Sequence, residues 1–356
     1  MVIRWKKVEE NEQSINVLLK DGTALQADMV VMALGVTPDT KLAKAAGLEL
    51  GIKESILVNE RMETSVADIY AVGDAVQVKH SVTGADVLIS LAGPANRQGR
   101  IAADNICGGK SIYHGSQGSS VIKIFRLTGA ITGINERTAK KAGINVDKVI
   151  LSPMSHAGYY PGGKMMTMKV IFEKESYRLL GAQIIGYDGV DKRIDVLATA
   201  IHMKMKATDL KGLDLVYAPP YSSAKDPVNM AGYMIDNISK GILKQFHIED
   251  IEKVVQKENI VRLDVRTPEE YAHGHIDGFR NIPVDELREC LNEIDTDKPI
   301  YVICQSGLRS YIASRILSGK GLECYNFAGG FRFYDAVIRE QSLIETSLPC
   351  GMDQRK

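Results

Sequence analysis

The stretch Tyr301-Val302-Ile303-Cys304-Gln305-Ser306-Gly307-Leu308-Arg309-Ser310 constrains the fold of this chain more than any other. An apolar run ends on a cysteine, and a glycine three residues later lets the backbone turn tightly. A helical pattern then begins at once, over Tyr311–Leu317. The run entering this loop, Pro299–Ile303, reads as a strand, and a further apolar run at Ile260–Val265 reads as another. Alternating elements of this kind predict a small α/β domain with a parallel sheet over 250–345, followed by a tail at 346–356.

The same loop predicts chemistry. Its backbone N–H groups, in the segment Gln305, Ser306, Gly307, Leu308 and Ser310, can converge on the Cys304 sulfur, and the helix that follows adds its positive N-terminal end. Arg309 adds a full positive charge. Together they favour the thiolate, which is the nucleophilic form of cysteine, and they make a cradle for an anionic sulfur donor. Cys290, Cys324 and Cys350 have no comparable loop and read as small buried or surface thiols, and Cys107, which follows a helix near its C-terminal boundary, reads as structural.

Upstream, residues 1–33 read as the end of a β-rich element. Ser14–Lys20 alternates, Asp21-Gly22 is a hairpin signal, and Met29–Leu34 is an unbroken apolar run expected to be a buried strand. A region that opens on what read as the last strands of a sheet is expected to be the C-terminal portion of a longer domain. Over 34–110, a short strand is expected at Asp68–Val72, and Pro94 is expected in the first turn of a helix. Residues 111–238 read as a separate α+β unit. There Met166, Met168, Val170 and Phe172 share one face of a strand, Leu179–Ile185 forms a second strand, and Ile194, Leu197, Ala198, Ile201 and Met205 line a helix. Residues 239–249 read as a connector.

Several ordered motifs then carry a family resemblance. Leu263-Asp264-Val265-Arg266-Thr267-Pro268-Glu269-Glu270-Tyr271, Gly274-His275-Ile276-Asp277-Gly278 with Asn281-Ile282-Pro283, the C-x-x-G-x-R loop from Cys304 to Arg309, and Ala328-Gly329-Gly330-Phe331 together resemble a rhodanese domain. The resemblance implies sulfane-sulfur transfer through a persulfide on Cys304, with Arg309 assisting and Asp264 and Arg266 as structural partners. Thr64–Asp74, ending in Val72-Gly73-Asp74, resembles the second FAD-binding motif of pyridine-nucleotide-disulfide oxidoreductases. The segment Ala33-Leu34-Gly35-Val36-Thr37-Pro38 is similar to the crossing between that family's NAD and FAD domains. Leu91-Ala92-Gly93-Pro94-Ala95 is similar to the start of the helix that approaches the flavin ring. Gly35, Pro38, Gly73, Asp74, Leu91, Ala92, Pro94 and Ala95 are thereby implied as cofactor-binding residues. Residues 111–238 resemble the family's dimerisation domain, which implies a homodimer. Tyr217-Ala-Pro-Pro-Tyr221 with Tyr159-Tyr160-Pro161-Gly162 resembles the CoA-disulfide reductase and NADH oxidase branch. Tyr159, Tyr160 and Tyr217 are implied as tyrosines that reach a partner subunit's active site, with interface packing as the alternative.

The implied whole is a multidomain α/β and α+β protein. Residues 1–110 would be part of an FAD/NAD-binding region, 111–238 a dimerisation domain and 250–345 a rhodanese domain. FAD and NAD(P)H are the implied cofactors, with CoA as substrate or bound ligand and low-molecular-weight disulfides, persulfides or polysulfides as partners. The sequence departs from that family in having no G-x-G-x-x-G fingerprint, so both cofactors would need an N-terminal half to bind fully. The family's redox cysteine near the flavin has no counterpart either. Two further readings therefore stand beside the reductase: a stand-alone thiosulfate or polysulfide sulfurtransferase, and a non-catalytic dimerising scaffold.

Other classes are disfavoured. Lys plus Arg and Asp plus Glu each number 44, so no broad basic footprint points to nucleic acid or a membrane surface. No apolar run is long enough to span a bilayer. The five scattered cysteines include no CxxC pair, which argues against a disulfide framework or a cysteine zinc site and for a reducing, cytoplasmic setting. The His273-x-His275 pair is expected in a turn rather than at a metal. Exposed apolar surface is expected within 1–110.

Overall fold

The computed structural model describes residues 5–11 and 14–346. The chain divides into two compact units, one made of 1–37 with 335–356 and the other of 38–334.

In the first unit, β1 (Trp5–Asn11), β2 (Ser14–Leu19) and β3 (Ala24–Ala27) form an antiparallel meander. The turn after β2 is closed by Thr23 N–H donating to Asp21 Oδ1 at 2.9 Å, which is the side-chain-to-backbone bond that makes Asp a turn former. The expected buried strand at Met29–Leu34 does not form. Among the described residues no strand pairs with it, and Met29 and Val31 are each 76% exposed. An apolar run becomes a buried strand only when neighbours supply hydrogen bonds and a covering layer. The expected exposed apolar surface is here instead, continuing through Leu34 and Val36.

The second unit begins with α1 (Lys41–Ala45), the two-stranded β4 (Val78–Lys79) and β5 (Asp86–Val87), and α2 (Ala92–Ile106). Met62, Val76, Val78, Ala102 and Tyr113 form its small core. The strand expected at Asp68–Val72 reduces to one bridge between Glu63 and Tyr70, because Asp68 sits in the left-handed region (φ 62°) and cannot continue an extended run. Cys107 caps α2 at its C-terminus and is exposed, so it is a surface thiol and no part of the core.

Next comes a five-stranded antiparallel sheet. Its strands are β6 (Ser120–Ile124), β7 (Leu127–Gly133), β8 (Val146–Leu151), β9 (Thr167–Glu173) and β10 (Leu179–Gly186), in the order β6-β7-β10-β9-β8, with α3 (Glu136–Lys141) between β7 and β8. Met168, Val170 and Phe172 alternate along β9 and are fully buried, as the period of two requires. They meet Ile194, Leu197, Ala200 and Ile201 of α4 (Val190–His202), and Val228, Ala231 and Ile235 of α5 (Pro227–Ser239), in one core. Helix α4 stops short of Met205 because Lys204 adopts a left-handed φ of 55°.

The C-terminal part holds β11 (Gln245–Phe246), α6 (Ile251–Gln256), β12 (Val261–Asp264), α7 (Pro268–Ala272), β13 (Arg280–Asn281), β14 (Ile300–Ile303), α8 (Leu308–Ser318), β15 (Cys324–Phe327) and α9 (Gly330–Thr346). The sheet is parallel throughout, in the order β11-β15-β14-β12-β13. Central β14 is buried along its whole length, as expected of a parallel strand covered on both faces. Val302 faces Ala313 and Leu317 of α8, while Tyr301 and Ile303 face Phe246, Ile251 and Phe327. Residues read as a connector thus supply the edge strand β11. A run of two residues is too short to show periodicity.

Polar contacts join this sheet to the preceding one. Lys148 on β8 reaches Glu249 at 2.6 Å and Glu136 at 3.1 Å, and Glu136 also accepts from Lys169 at 2.8 Å. Burial tends to raise the Glu136 pKa, but the hydrogen bond from Lys169 and the nearby cations outweigh it and carry the carboxyl down to about 2. Gln245 Nε2 donates to Lys148 O at 2.6 Å, and His247 Nε2 lies 3.2 Å from Asp147 Oδ1.

Candidate active site

Strand β14 delivers Cys304 to the head of the loop, and α8 begins three residues after it. The residue is fully buried. Its Sγ accepts two hydrogen bonds, from Gly307 N–H at 3.1 Å and from the Ser310 hydroxyl at 3.2 Å. Gly307 stands at φ 95°, where it caps α8 and turns its N–H inward. The Ser310 hydroxyl hydrogen has a second acceptor within reach, Gly307 O, also at 3.2 Å. From below, the loop is fixed by the start of α9, where Phe331 N–H donates to Cys304 O at 2.7 Å and Arg332 N–H to Gln305 O at 3.1 Å. A Cβ on Gly330 would stand 2.7 Å from Cys304 O, so only glycine fits beneath this loop. Ser306 is half-buried and the Leu308 side chain is exposed at the loop's outer edge.

Arginines surround the loop, each already engaged. Arg266 is buried and forms a fork with Asp264 at 2.7–3.0 Å. Its remaining donors go to Glu270 O, Gly274 O and Gln305 Oε1, and its guanidinium stacks on Phe331 at 4.0 Å. Every donor is satisfied, in keeping with the structural role expected of the pair. Arg309 differs from expectation. Its two terminal nitrogens each meet an oxygen of Glu270 at 2.7 Å, so its charge is locally paired instead of free beside the sulfur. Glu270 is placed for this by the capping box of α7, in which its carboxylate accepts from Thr267 N–H. The sequence shows the box, but the pairing with Arg309 spans 39 residues and leaves no local signal.

A second constellation lies on the antiparallel sheet's loops. Tyr159 and Tyr217 share a hydrogen bond between hydroxyls at 2.7 Å, and both rings are largely exposed. That bond raises the Tyr217 pKa above the ordinary phenol value. Tyr160 meets His156 edge-on at 5.6 Å. Both loops are held by Arg193, a residue sequence reasoning passed over. It is buried, and it donates to Asp226, Ser222 Oγ and Ser155 O at 2.9–3.2 Å. A link between the two constellations runs through Arg332, next to the Cys304 loop, which reaches Met165 Sδ at 2.7 Å, and Met165 bridges Met154 at the base of the segment carrying Tyr159 and Tyr160.

Of the residues implied for cofactor binding, Gly73 and Asp74 form a 3-10 turn, with Gly73 N–H donating to buried Gln98 Oε1 at 2.7 Å. The Asp74 carboxylate is exposed, and Ala95 Cβ on α2 is the one atom near where a Gly73 Cβ would stand. Leu91, Ala92 and Pro94 line a cleft of about 1160 Å³ together with Arg97, His114 and His202. Pro38 is half-buried, and Gly35 lies in an exposed stretch of the first unit that forms no helix or strand. Among the described residues no His/Cys/Asp/Glu cluster could hold a metal, and no helix is long and apolar enough to cross a membrane. His273 and His275 bond back to Glu269 O and Tyr271 O in a turn, as expected.

Comparison with known proteins matches this layout. Residues 2–99 match the pyridine nucleotide-disulphide oxidoreductase family, 119–227 its dimerisation domain, and 247–336 the rhodanese-like domain. A curated relative, the NAD(P)H sulfur oxidoreductase (CoA-dependent) of Pyrococcus furiosus, is 36% identical over 62% of this chain and 49% of its own length. Coenzyme A disulfide reductase of Staphylococcus aureus is 32% identical over 64% and 52%. The crystal structure of reduced Bacillus anthracis CoADR-RHD superposes with a TM-score of 0.90 at 47% identity, covering 95% of this chain and 60% of that one. A NAD-dependent persulfide reductase from A. fulgidus gives 0.85 at 39% identity, covering 93% and 61%. The chain spans about half the length of the curated relatives it matches.

Proposed function

We infer, for a chain built of pyridine nucleotide-disulphide oxidoreductase, dimerisation and rhodanese-like domains, that Cys304 accepts and passes on sulfane sulfur in support of the reduction of CoA disulfides, persulfides or polysulfides. The observation that carries this reading is the Cys304 sulfur itself, cradled by Gly307 N–H and the Ser310 hydroxyl at a strand-loop-helix junction.

The chemistry follows from that placement. The Cys304 thiolate attacks the outer sulfur of a donor R–S–SH, the S–S bond to R breaks, and R–S⁻ leaves with the bonding pair. Cys304–S–SH remains. A thiol or cyanide then takes the outer sulfur, and Cys304 leaves as thiolate. Oxidation level is conserved overall, so no external oxidant is needed. Gly307 N–H and Ser310 Oγ–H stabilise sulfur-borne charge before and after each transfer.

For the reductase side we propose FAD and NAD(P)H as cofactors. The residues present fit part of a flavin site: the exposed Asp74 carboxylate can accept from ribityl hydroxyls, and open Gly73 admits a ligand beside α2. A bound flavin would supply two-electron reduction there. Pro38 belongs to the same proposal. Residues 111–238 are proposed to form a homodimer, supported by the exposed Val121, Ile122 and Phe125 around edge strand β6 and by the exposed Tyr159 and Tyr217. In that dimer the two tyrosines would serve a site shared between subunits.

The test is thiocyanate formation from thiosulfate or polysulfide and cyanide by the purified chain. Turnover that disappears in Cys304→Ala supports the reading, and turnover untouched by that change refutes it. Binding of added FAD, read by quenching of flavin fluorescence and lost in Asp74→Ala, tests the flavin proposal separately.

A further inference from the structure

We propose that Glu270 determines which sulfur donors reach Cys304, by occupying both arms of Arg309 and so disfavouring dianionic donors over those of lower charge. The proposal rests on the sulfur-transfer reading above and names the donor class for that same site.

Anion recognition at a loop of this kind needs free donors, and a guanidinium fork is the group best shaped to grip an oxyanion. Two forks adjoin this loop, and both are taken. Arg266 is buried and committed to Asp264 and to backbone carbonyls. Arg309 is committed to Glu270 through two bonds of 2.7 Å, and both side chains stay about one-third exposed, at the loop's solvent side. An approaching donor therefore meets a carboxylate where an unpaired arginine would otherwise stand. The Arg309 hydrogen bonds hold Glu270 below the usual carboxylate range, so this negative charge persists throughout neutral pH. The third arginine, Arg332, meets only the neutral Met165 Sδ and keeps its charge, and the Arg332→Met variant below separates its contribution from that of Glu270. What the loop offers the Cys304 sulfur directly is Gly307 N–H and the Ser310 hydroxyl, a pair suited to a single sulfur-borne charge. Thiosulfate brings two negative charges and must release sulfite. An organic thiosulfonate brings one and releases a sulfinate, by the same displacement at the outer sulfur. One unit of charge within a few ångströms of a carboxylate one-third exposed is worth about a tenfold rate ratio.

The experiment compares thiosulfate with benzenethiosulfonate as donors to cyanide in the full chain, taking the ratio of their kcat/KM values. Glu270→Gln keeps the shape and a hydrogen bond to Arg309 but removes the charge, and should raise the thiosulfate share about tenfold. Glu270→Asp keeps the charge and should leave the ratio near that of the parent. Glu270→Ala should move it as Gln does. A ratio unchanged in Gln and Ala, or shifted equally in Asp, overturns the proposal. So does a thiosulfate share that collapses in Arg332→Met, which would place the anion on Arg332. A second readout needs no sulfur transfer: alkylation of Cys304 by anionic iodoacetate against neutral iodoacetamide, followed at the Cys304 peptide. Glu270→Gln should raise that ratio as well. If no variant turns over either donor while the alkylation ratio shifts, the sulfur-transfer reading fails and the charge filter stands. If turnover is present and neither ratio shifts, the filter fails and the reading stands.

Discussion

The Ser310 hydroxyl stands 3.2 Å from Cys304 Sγ and 3.2 Å from Gly307 O, so its one hydrogen has two acceptors and can serve one at a time. When the sulfur carries negative charge, it is the stronger acceptor and takes the hydrogen. Ser310→Ala removes this donor without adding bulk to a buried position. A hydrogen bond to a charged group contributes about 1.5–3 kcal/mol, so kcat for thiocyanate formation should fall about ten- to hundredfold. Steady-state kinetics check this, with an unchanged melting temperature excluding a folding defect.

Gly330 supports the loop from beneath. Its φ of 69° and a clearance of 2.7 Å to Cys304 O leave no room for a side chain. Gly330→Ala should cost about 2 kcal/mol or more in stability and should shift the loop. Denaturant unfolding reads the first effect, and a changed rate of Cys304 alkylation reads the second.

Arg193 holds the tyrosine-bearing loops through Asp226, Ser222 and Ser155 from a fully buried position. Arg193→Met removes the guanidinium 3.0 Å from buried Asp226, leaving Lys192 Nζ at 3.9 Å as its cation, and should destabilise the chain by about 3 kcal/mol. Tyr159→Phe removes a hydroxyl from an exposed pair and should leave stability within about 0.5 kcal/mol of the parent. Thermal unfolding of the two variants distinguishes the anchor from the pair it positions.

Acid should weaken the ion-pair cluster of Glu136 with Lys148 and Lys169. Glu136 titrates near 2 in the folded chain against an ordinary 4.5, so the folded state favours its carboxylate. The stability it contributes is fully present above about pH 4.5 and is lost as pH falls towards about 2. The parent should therefore lose more stability over that window than Glu136→Gln does, a difference read by urea unfolding at successive pH values.

Chemistry that is local in the chain could be read from the sequence. The Cys304 loop, its strand and its helix occupy consecutive residues, and their order follows from local spacing. The alternation along β9 showed its buried face for the same reason. Met29–Leu34 misled because apolarity reports a preference for burial, while burial itself needs partner strands that no described residue supplies. The pairing of Glu270 with Arg309 and the anchoring by Arg193 were hidden because each joins side chains from segments far apart in sequence, and a charged residue in isolation reads as surface. Strand β11 was missed because its partner, β15, lies some eighty residues on.

The central claim is that Cys304 carries sulfane sulfur as a persulfide. The direct measurement is peptide mass analysis after brief exposure of the full chain to a polysulfide donor, with free thiols capped before digestion. One added sulfur atom is expected on the Cys304 peptide, discharged by cyanide and reduced in Ser310→Ala. Sulfur that is absent from Cys304, or spread equally over Cys107 and Cys290, would contradict it.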